Sequence, residues 1–240
     1  MKSQIPNIIT CCNLISGCIA TVFALYFQPE MALLFIIIGA AFDFCDGLSA
    51  RALNVSSPIG KELDSLADVI TFGVAPSAII FHELSVLEYP GMLSSVKEYI
   101  PFVAFVLAAF SALRLAKFNL DTRQTTSFIG LPTPANAMFW GSLIVGYKSY
   151  IENIPHAFMW IILLVFVSSY LLICELPMFA LKFKHWGINE KGNIVKYGFI
   201  VLCAAVFFSS LVFGKVVSSF AIMILAYILV SVIMWCTSKH

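Results

Sequence analysis

Long apolar runs separated by brief polar punctuation organise this chain. Stretches of about 20 mostly apolar residues, enough to cross a bilayer as helices, recur at 8–28, 31–52, 62–82, 98–118, 133–150, 156–177, 195–213 and 216–236. Several of the gaps carry turn-forming residues: Gln28-Pro29-Glu30, Tyr89-Pro90-Gly91, Ile154-Pro155 and Phe213-Gly214-Lys215. The pattern predicts an all-α fold, a polytopic membrane bundle of about eight transmembrane helices with short connections. No fixed-period repeat or low-complexity tract interrupts it. The first run could pass for a signal peptide, but its basic start is only Lys2 and no A-x-A site follows. It is expected to stay as the first spanning helix.

Composition agrees. Of 240 residues, 60% are hydrophobic and 11% charged, and the mean hydropathy is +0.95. Soluble domains are about half apolar and about a quarter charged, so the excess apolar surface belongs in lipid. A net charge of +1 gives no field suited to nucleic acid. The cysteines (Cys11, Cys12, Cys18, Cys45, Cys174, Cys203, Cys236) are odd in number, form no C-x-x-C pair and sit mostly in apolar runs. They read as small hydrophobes, not as a disulfide framework or thiolate metal site. His82, His156, His185 and His240 are scattered without ligand spacing and read as interfacial, as do the tryptophans near predicted helix ends.

Basic residues set the orientation. With eight spans, all of the 14 Lys and Arg except Lys97, Lys148 and Lys215 fall on the side of the two termini. That side is expected to be cytoplasmic, in a cell inner or plasma membrane. The opposite loop, 83–98, instead carries Glu83, Glu88 and Glu98. The stretch 182–196, with Lys182, Lys184, Lys191 and Lys196, is expected as a cytoplasmic loop lying on anionic lipid.

One segment breaks the apolar pattern with chemistry. Asp43 and Asp46 are spaced i, i+3, and Asp64 and Asp68 are spaced i, i+4, so each pair shares a helix face. Ionised carboxylates in membrane helices are costly and need partners. Two such faces joined by the 52–61 turn gather four acids around one volume, and Arg51 and Lys61 are too few to neutralise them. Divalent cations are the fitting partner, and all-oxygen ligands suit Mg²⁺, Mn²⁺ or Ca²⁺. Four carboxylates match the charge of two such ions. Gly47, Ser49, Ala50 and Gly60 allow close approach of a ligand, and Arg51, one turn past Asp46, suits a phosphate. Carboxylates, metals and an arginine together describe phosphoryl transfer. A cation transporter with an intramembrane carboxylate site is the competing class, although Arg51 is of no use to a cation pathway.

Residues 43–68 read D-x-x-D-G-x-x-A-R-x(8)-G-x-x-x-D-x-x-x-D without departure, a pattern that resembles the CDP-alcohol phosphotransferase family. The resemblance implies a core of six membrane helices with a cytoplasm-facing cavity, and a homodimer. It implies that Asp43, Asp46 and Asp64 bind metal, and that Asp68 reaches a metal and acts as general base. It implies two Mg²⁺ or Mn²⁺ ions and a CDP-lipid lying along Gly47, Ala50, Arg51 and Gly60. Ile5-Pro6-Asn7-Ile8-Ile9-Thr10 is similar to the start of the first family helix, so Asn7 and Thr10 join the expected CDP-lipid contacts. The resemblance covers roughly residues 5–180. The core is therefore set at 1–180, with 181–240 a cytoplasmic loop and two C-terminal helices of the same domain.

The acceptor is read from two further segments. Arg114-Leu115-Ala116-Lys117-Phe118-Asn119 and Phe128-Ile129-Gly130-Leu131-Pro132-Thr133-Pro134-Ala135 are similar to those of family members that use serine. Arg114 and Lys117 share a face at the basic end of the fourth span, where a serine carboxylate needs a cation and Asn119 offers a hydrogen bond. Positive-inside anchoring would place the same cations there. The expected reaction joins CDP-diacylglycerol and L-serine to give phosphatidylserine and CMP. A sister reaction on glycerol 3-phosphate or inositol phosphate is the alternative, and it would call for more basic residues.

Overall fold

A computed structural model describes residues 4–55, 57–121, 128–179 and 193–238. Helices α1 (Gln4–Leu25) and α2 (Pro29–Ala52) form a hairpin. Next comes a continuous rod: α3 (Pro58–Asp68), a π-helical turn (Val69–Val74) and α4 (Ala75–Val86). A short 3₁₀ stretch, Ile100–Phe105, leads into α5 (Val106–Leu120). Then follow β1 (Phe128–Ile129), α6 (Thr133–Ile151), α7 (Ala157–Ile173), β2 (Pro177–Met178), α8 (Asn193–Val212) and α9 (Val216–Ser238). Six of these helical runs are long and apolar enough to cross a membrane, and α7 is a shorter apolar helix. The chain is an integral membrane protein with a helical bundle. Most of the expected 182–196 loop lies outside the described residues.

The helices turn small and polar residues inward. The buried face of α1 is Pro6, Thr10, Asn13, Ser16, Gly17, Ala20 and Ala24, while Ile5, Ile8, Ile15, Val22 and Leu25 point outward. Lipid gives apolar side chains no reason to hide, so close backbone approach and interhelical hydrogen bonds hold such bundles together. The π turn is where this matters most. A β-carbon on Gly17 would lie 2.7 Å from Thr71 Cα, and one on Gly39 would lie 2.5 Å from Thr71 Cγ2. Thr71 also donates its hydroxyl to the Asn13 carbonyl at 3.0 Å. So α1 and α2 close directly onto the π turn, just below Asp68.

Three residues lie elsewhere than the sequence suggested. Glu83 is not in a loop: α4 continues to Val86, and Glu83 is wholly buried. His82 is also buried, with its ring edge-on to Phe27 at 4.5 Å. Trp140 sits mid-helix in the core and donates to Ser168 Oγ at 3.1 Å, so it is no interfacial anchor. Hydropathy averages along the chain and cannot see which neighbour faces a given side chain.

The C-terminal helix packs tightly on α6. Ser218 Oγ donates to the Gly146 carbonyl at 2.8 Å, beside a break in helical geometry at Tyr147. A β-carbon on Gly146 would lie 2.7 Å from Ser218 Cα.

Gly17→Ala should therefore lower stability by about 1–3 kcal/mol, because the obstructing atoms belong to backbone. Gly198→Ala on α8, where no atom lies within 4 Å of the added carbon, should cost nothing measurable. Thermal unfolding of the two variants in detergent compares them.

Candidate active site

The tight α2–α3 corner creates the site. After α2, Asn54 takes a left-handed conformation (φ 51°), and Val55 N donates to Ala50 O at 3.0 Å. Ser57 then caps α3, accepting from Gly60 N at 2.9 Å, with Pro58 in the first turn. Both are standard helix-start devices. The chain thus reverses within a few residues, and the aspartate faces of α2 and α3 meet.

Asp43, Asp64 and Asp68 each present an oxygen within 4.8 Å of the other two. Asp43 and Asp64 are in side-chain hydrogen-bond contact, an arrangement that two carboxylates tolerate only with a proton or cation between them. Asp64 Oδ1 is buried without any hydrogen-bond partner. Asp46 stands slightly apart, close enough to interact electrostatically with Asp43 and Asp64. It accepts from Thr10 Oγ1 at 2.6 Å. Asp68, also buried, accepts from Asn13 Nδ2 at 3.2 Å. This all-oxygen set, with an orphaned oxygen and opposed carboxylates, fits a hard divalent cation such as Mg²⁺ or Mn²⁺. Asn13 is an amide in an otherwise apolar helix, and it is tied to Asp68.

Beside the aspartates runs a groove of about 300 Å³. Asn7, Thr10, Gly47, Ala50 and Gly60 line it, together with Asp46, Asp64 and Lys61. Gly60 keeps the space tight there: a β-carbon would stand 3.0 Å from Asn7 Oδ1 and from Ser57 Oγ. Arg51 is exposed at the end of α2, its guanidinium reaching back along Gly47. Lys61 was not expected in the site. It lines the groove while donating to the Asn119 carbonyl at 2.9 Å. Phe44, Leu48, Ile59 and Leu66 are exposed around these residues, an apolar rim suited to lipid tails.

Antiparallel packing of α5 on the α3 rod brings the remaining residues level with the aspartates. Asn119 Nδ2 donates to Ser65 Oγ at 2.7 Å, and Gly73 packs against Ser111. Asp68 lies between Ser65 and Gly73, and Arg114 between Ser111 and Asn119, so the two come to one level. Their charges interact. Arg114 is buried and Lys117 is exposed, yet both line one small cavity with Glu175. Asn119 does not line that cavity. Its side chain ties α5 to α3 instead.

The model of the CDP-alcohol phosphatidyltransferase family matches residues 3–238. A Bacillus subtilis protein named CDP-diacylglycerol–serine O-phosphatidyltransferase is 41% identical over 137 residues, 57% of this chain and 72% of that protein. A Helicobacter pylori protein of the same name is 29% identical over 232 residues, 96% of this chain and 90% of that one. A Saccharomyces cerevisiae protein of that name is 39% identical over 137 residues, covering 52% and 46%.

If the aspartates hold a cation, Mn²⁺ at about 100 times its Kd should stabilise the fold by about 2.7 kcal/mol. Asp64→Asn should be more stable than the parent without metal, since one repelling charge is gone, and should lose most of the Mn²⁺-dependent gain. Melting curves in detergent with EDTA or Mn²⁺ read both signs. A melting temperature indifferent to metal in the parent protein would remove the cation site.

Proposed function

The chain belongs to the CDP-alcohol phosphatidyltransferase family, and on that premise we propose that it transfers the phosphatidyl group of CDP-diacylglycerol to L-serine, giving phosphatidylserine and CMP. The observation that supports this most is the convergence of Asp43, Asp64 and Asp68 beside a groove floored by Gly47, Ala50 and Gly60. The serine-transferase names of the relatives and the neutral balance of the Arg114 cavity favour serine as acceptor.

In this reading the CDP moiety occupies the groove. Asn7 and Thr10 face the nucleotide from α1, and Arg51 and Lys61 meet the diphosphate. The acyl chains remain in lipid against the exposed Phe44, Leu48, Ile59 and Leu66. Asp43, Asp46, Asp64 and Asp68 would hold one or two Mg²⁺ or Mn²⁺ ions, which when bound neutralise the diphosphate and the charge developing on the leaving CMP.

Serine enters from the Arg114 side. Arg114 and Lys117 take its carboxylate, and Asn119 keeps α5 in register with α3. The serine hydroxyl oxygen attacks the lipid-side phosphorus and the bond to CMP breaks. Asp68 accepts the hydroxyl proton, with one of its oxygens oriented by Asn13. A carboxylate is a weak base, so its contribution depends on holding the hydroxyl within about 2.6–3.2 Å.

The aspartate end shares its level with Arg51, Lys61, Arg114 and Lys117, whereas at the far end Lys97, Lys148 and Lys215 are offset by Glu88, Glu98 and Glu152. That asymmetry supports a cytoplasm-facing active site, with CDP-lipid and serine arriving from that side. A homodimer is part of the same reading, with α8 and α9 as available outer surfaces.

Asp68→Asn should cut serine-dependent CMP release by about 100- to 10,000-fold while retaining CDP-diacylglycerol binding. Radiolabelled CDP-diacylglycerol with serine, glycerol 3-phosphate or inositol phosphate offered in parallel, with and without EDTA, decides the acceptor. Near-normal release by Asp68→Asn would remove Asp68 as the base.

A further inference from the structure

The cavity at the end of α5 differs in character from the groove. The groove lies among α1, α2 and α3, whereas this cavity lies among α5, β1 and the end of α7. Its volume is about 70 Å³, against about 300 Å³ for the groove, which suits a ligand of few atoms. Arg114 lines it, only 6% exposed, with Nε lacking a hydrogen-bond partner. A buried guanidinium that lines a cavity and has a donor unspent calls for an anionic ligand group.

The same cavity carries acids. Asp121 and Glu175 line it along with Arg114 and Lys117, so its charges balance. A phosphate dianion seated there would face two carboxylates, and such opposition is how sites reject a wrong ligand. A zwitterion meets complementary charge on both sides. Arg114 is buried and Glu175 exposed, which sets the carboxylate inward and the ammonium at the rim.

We propose that Glu175 receives the ammonium group of the acceptor amino acid while Arg114 receives its carboxylate, so that this cavity selects a zwitterion over a phosphate-bearing alcohol. The proposal rests on the serine reading above and deepens it. A carboxylate beside the amine has a chemical purpose as well. A free amine is a better nucleophile than a hydroxyl, and an ammonium ion has no lone pair. Holding the group protonated removes the amine as a competitor of the hydroxyl.

The segment carrying Glu175 is pinned on both flanks. On one flank, Leu131 N donates to Leu171 O at 2.8 Å. On the other, Gly130 N donates to Leu176 O at 2.9 Å, and β2 pairs with β1. Gly130 makes this possible: its φ is +75°, and a β-carbon there would lie 2.6 Å from Leu172 O. Beyond β2, the Tyr227 hydroxyl of α9 donates to the Phe179 carbonyl at 3.0 Å. A residue so braced keeps its charge in one place, as selectivity requires.

In purified protein with CDP-diacylglycerol and Mn²⁺, Glu175→Gln should raise the KM for L-serine by about tenfold or more. The KM for the CDP-lipid should stay at its original level, and Glu175→Asp should recover most of the loss. The parent should prefer serine to N-acetylserine, which lacks the ammonium, by a wider margin than Glu175→Gln does. An unaltered Mn²⁺-dependent rise in melting temperature verifies that the variant is folded. An unchanged serine KM in Glu175→Gln, or equal rises for both substrates, overturns the proposal while the serine reading stands. CMP release by the parent with glycerol 3-phosphate and not with serine overturns both together.

Discussion

Like charges gathered inside a membrane bundle set the terms for the rest of this molecule. Asp43, Asp64 and Asp68 bring oxygens within 4.8 Å of one another. When ionised, each such pair repels by about 3 kcal/mol at an effective dielectric constant of about 20. Three pairs amount to about 10 kcal/mol, comparable with the whole stability of an ordinary domain at about 5–15 kcal/mol. A fold could not keep this arrangement for structural reasons alone. The cluster calls for a proton or a cation among its oxygens, and the nearby Arg51 and Lys61 are both exposed.

Two binding volumes follow from that centre. The groove of α1, α2 and α3 is roomy, glycine-lined and open to an apolar rim. The cavity of α5, β1 and α7 is small and lined by charges of both signs. Asp68 comes level with Arg114 of the second because α5 packs antiparallel to the α3 rod, in a register held by Asn119, Ser65 and Lys61. The π turn directly after Asp68 is gripped by Gly17 and Gly39. π turns often occur at functional sites, and here the extra residue lies where the helix carrying Asp68 meets the α1–α2 hairpin.

Much of this could be read from the chain. The apolar runs placed every helix within a few residues, because lipid imposes length and composition together. The aspartate pairs were legible because i, i+3 and i, i+4 spacing fixes a helical face whatever surrounds it. What escaped notice depended on facing partners. Lys61 owes its place to Asn119, 58 residues away. Glu83 and Trp140 looked peripheral by position and are core. The β1–β2 pairing was also hidden, since two residues per strand leave no alternating pattern.

The last two helices illustrate how packing extends the site beyond its chemistry. Nothing in the sequence of α9 suggests catalysis, and its residues carry no charge. Yet Tyr227 bonds the carbonyl of Phe179 and packs with Phe179 and Phe199 in an aromatic cluster, with ring centroids 4.9–6.0 Å apart. Phe179 directly follows β2, β2 pairs with β1, and Ile129 of β1 lines the acceptor cavity. In a bundle without a hydrophobic driving force between helices, a hydroxyl and three rings supply both attachment and direction. A helix far from the aspartates in sequence thus helps fix the wall of the small cavity. That the family model extends to residue 238 is consistent with the C-terminal pair being built into the enzyme and not appended to it.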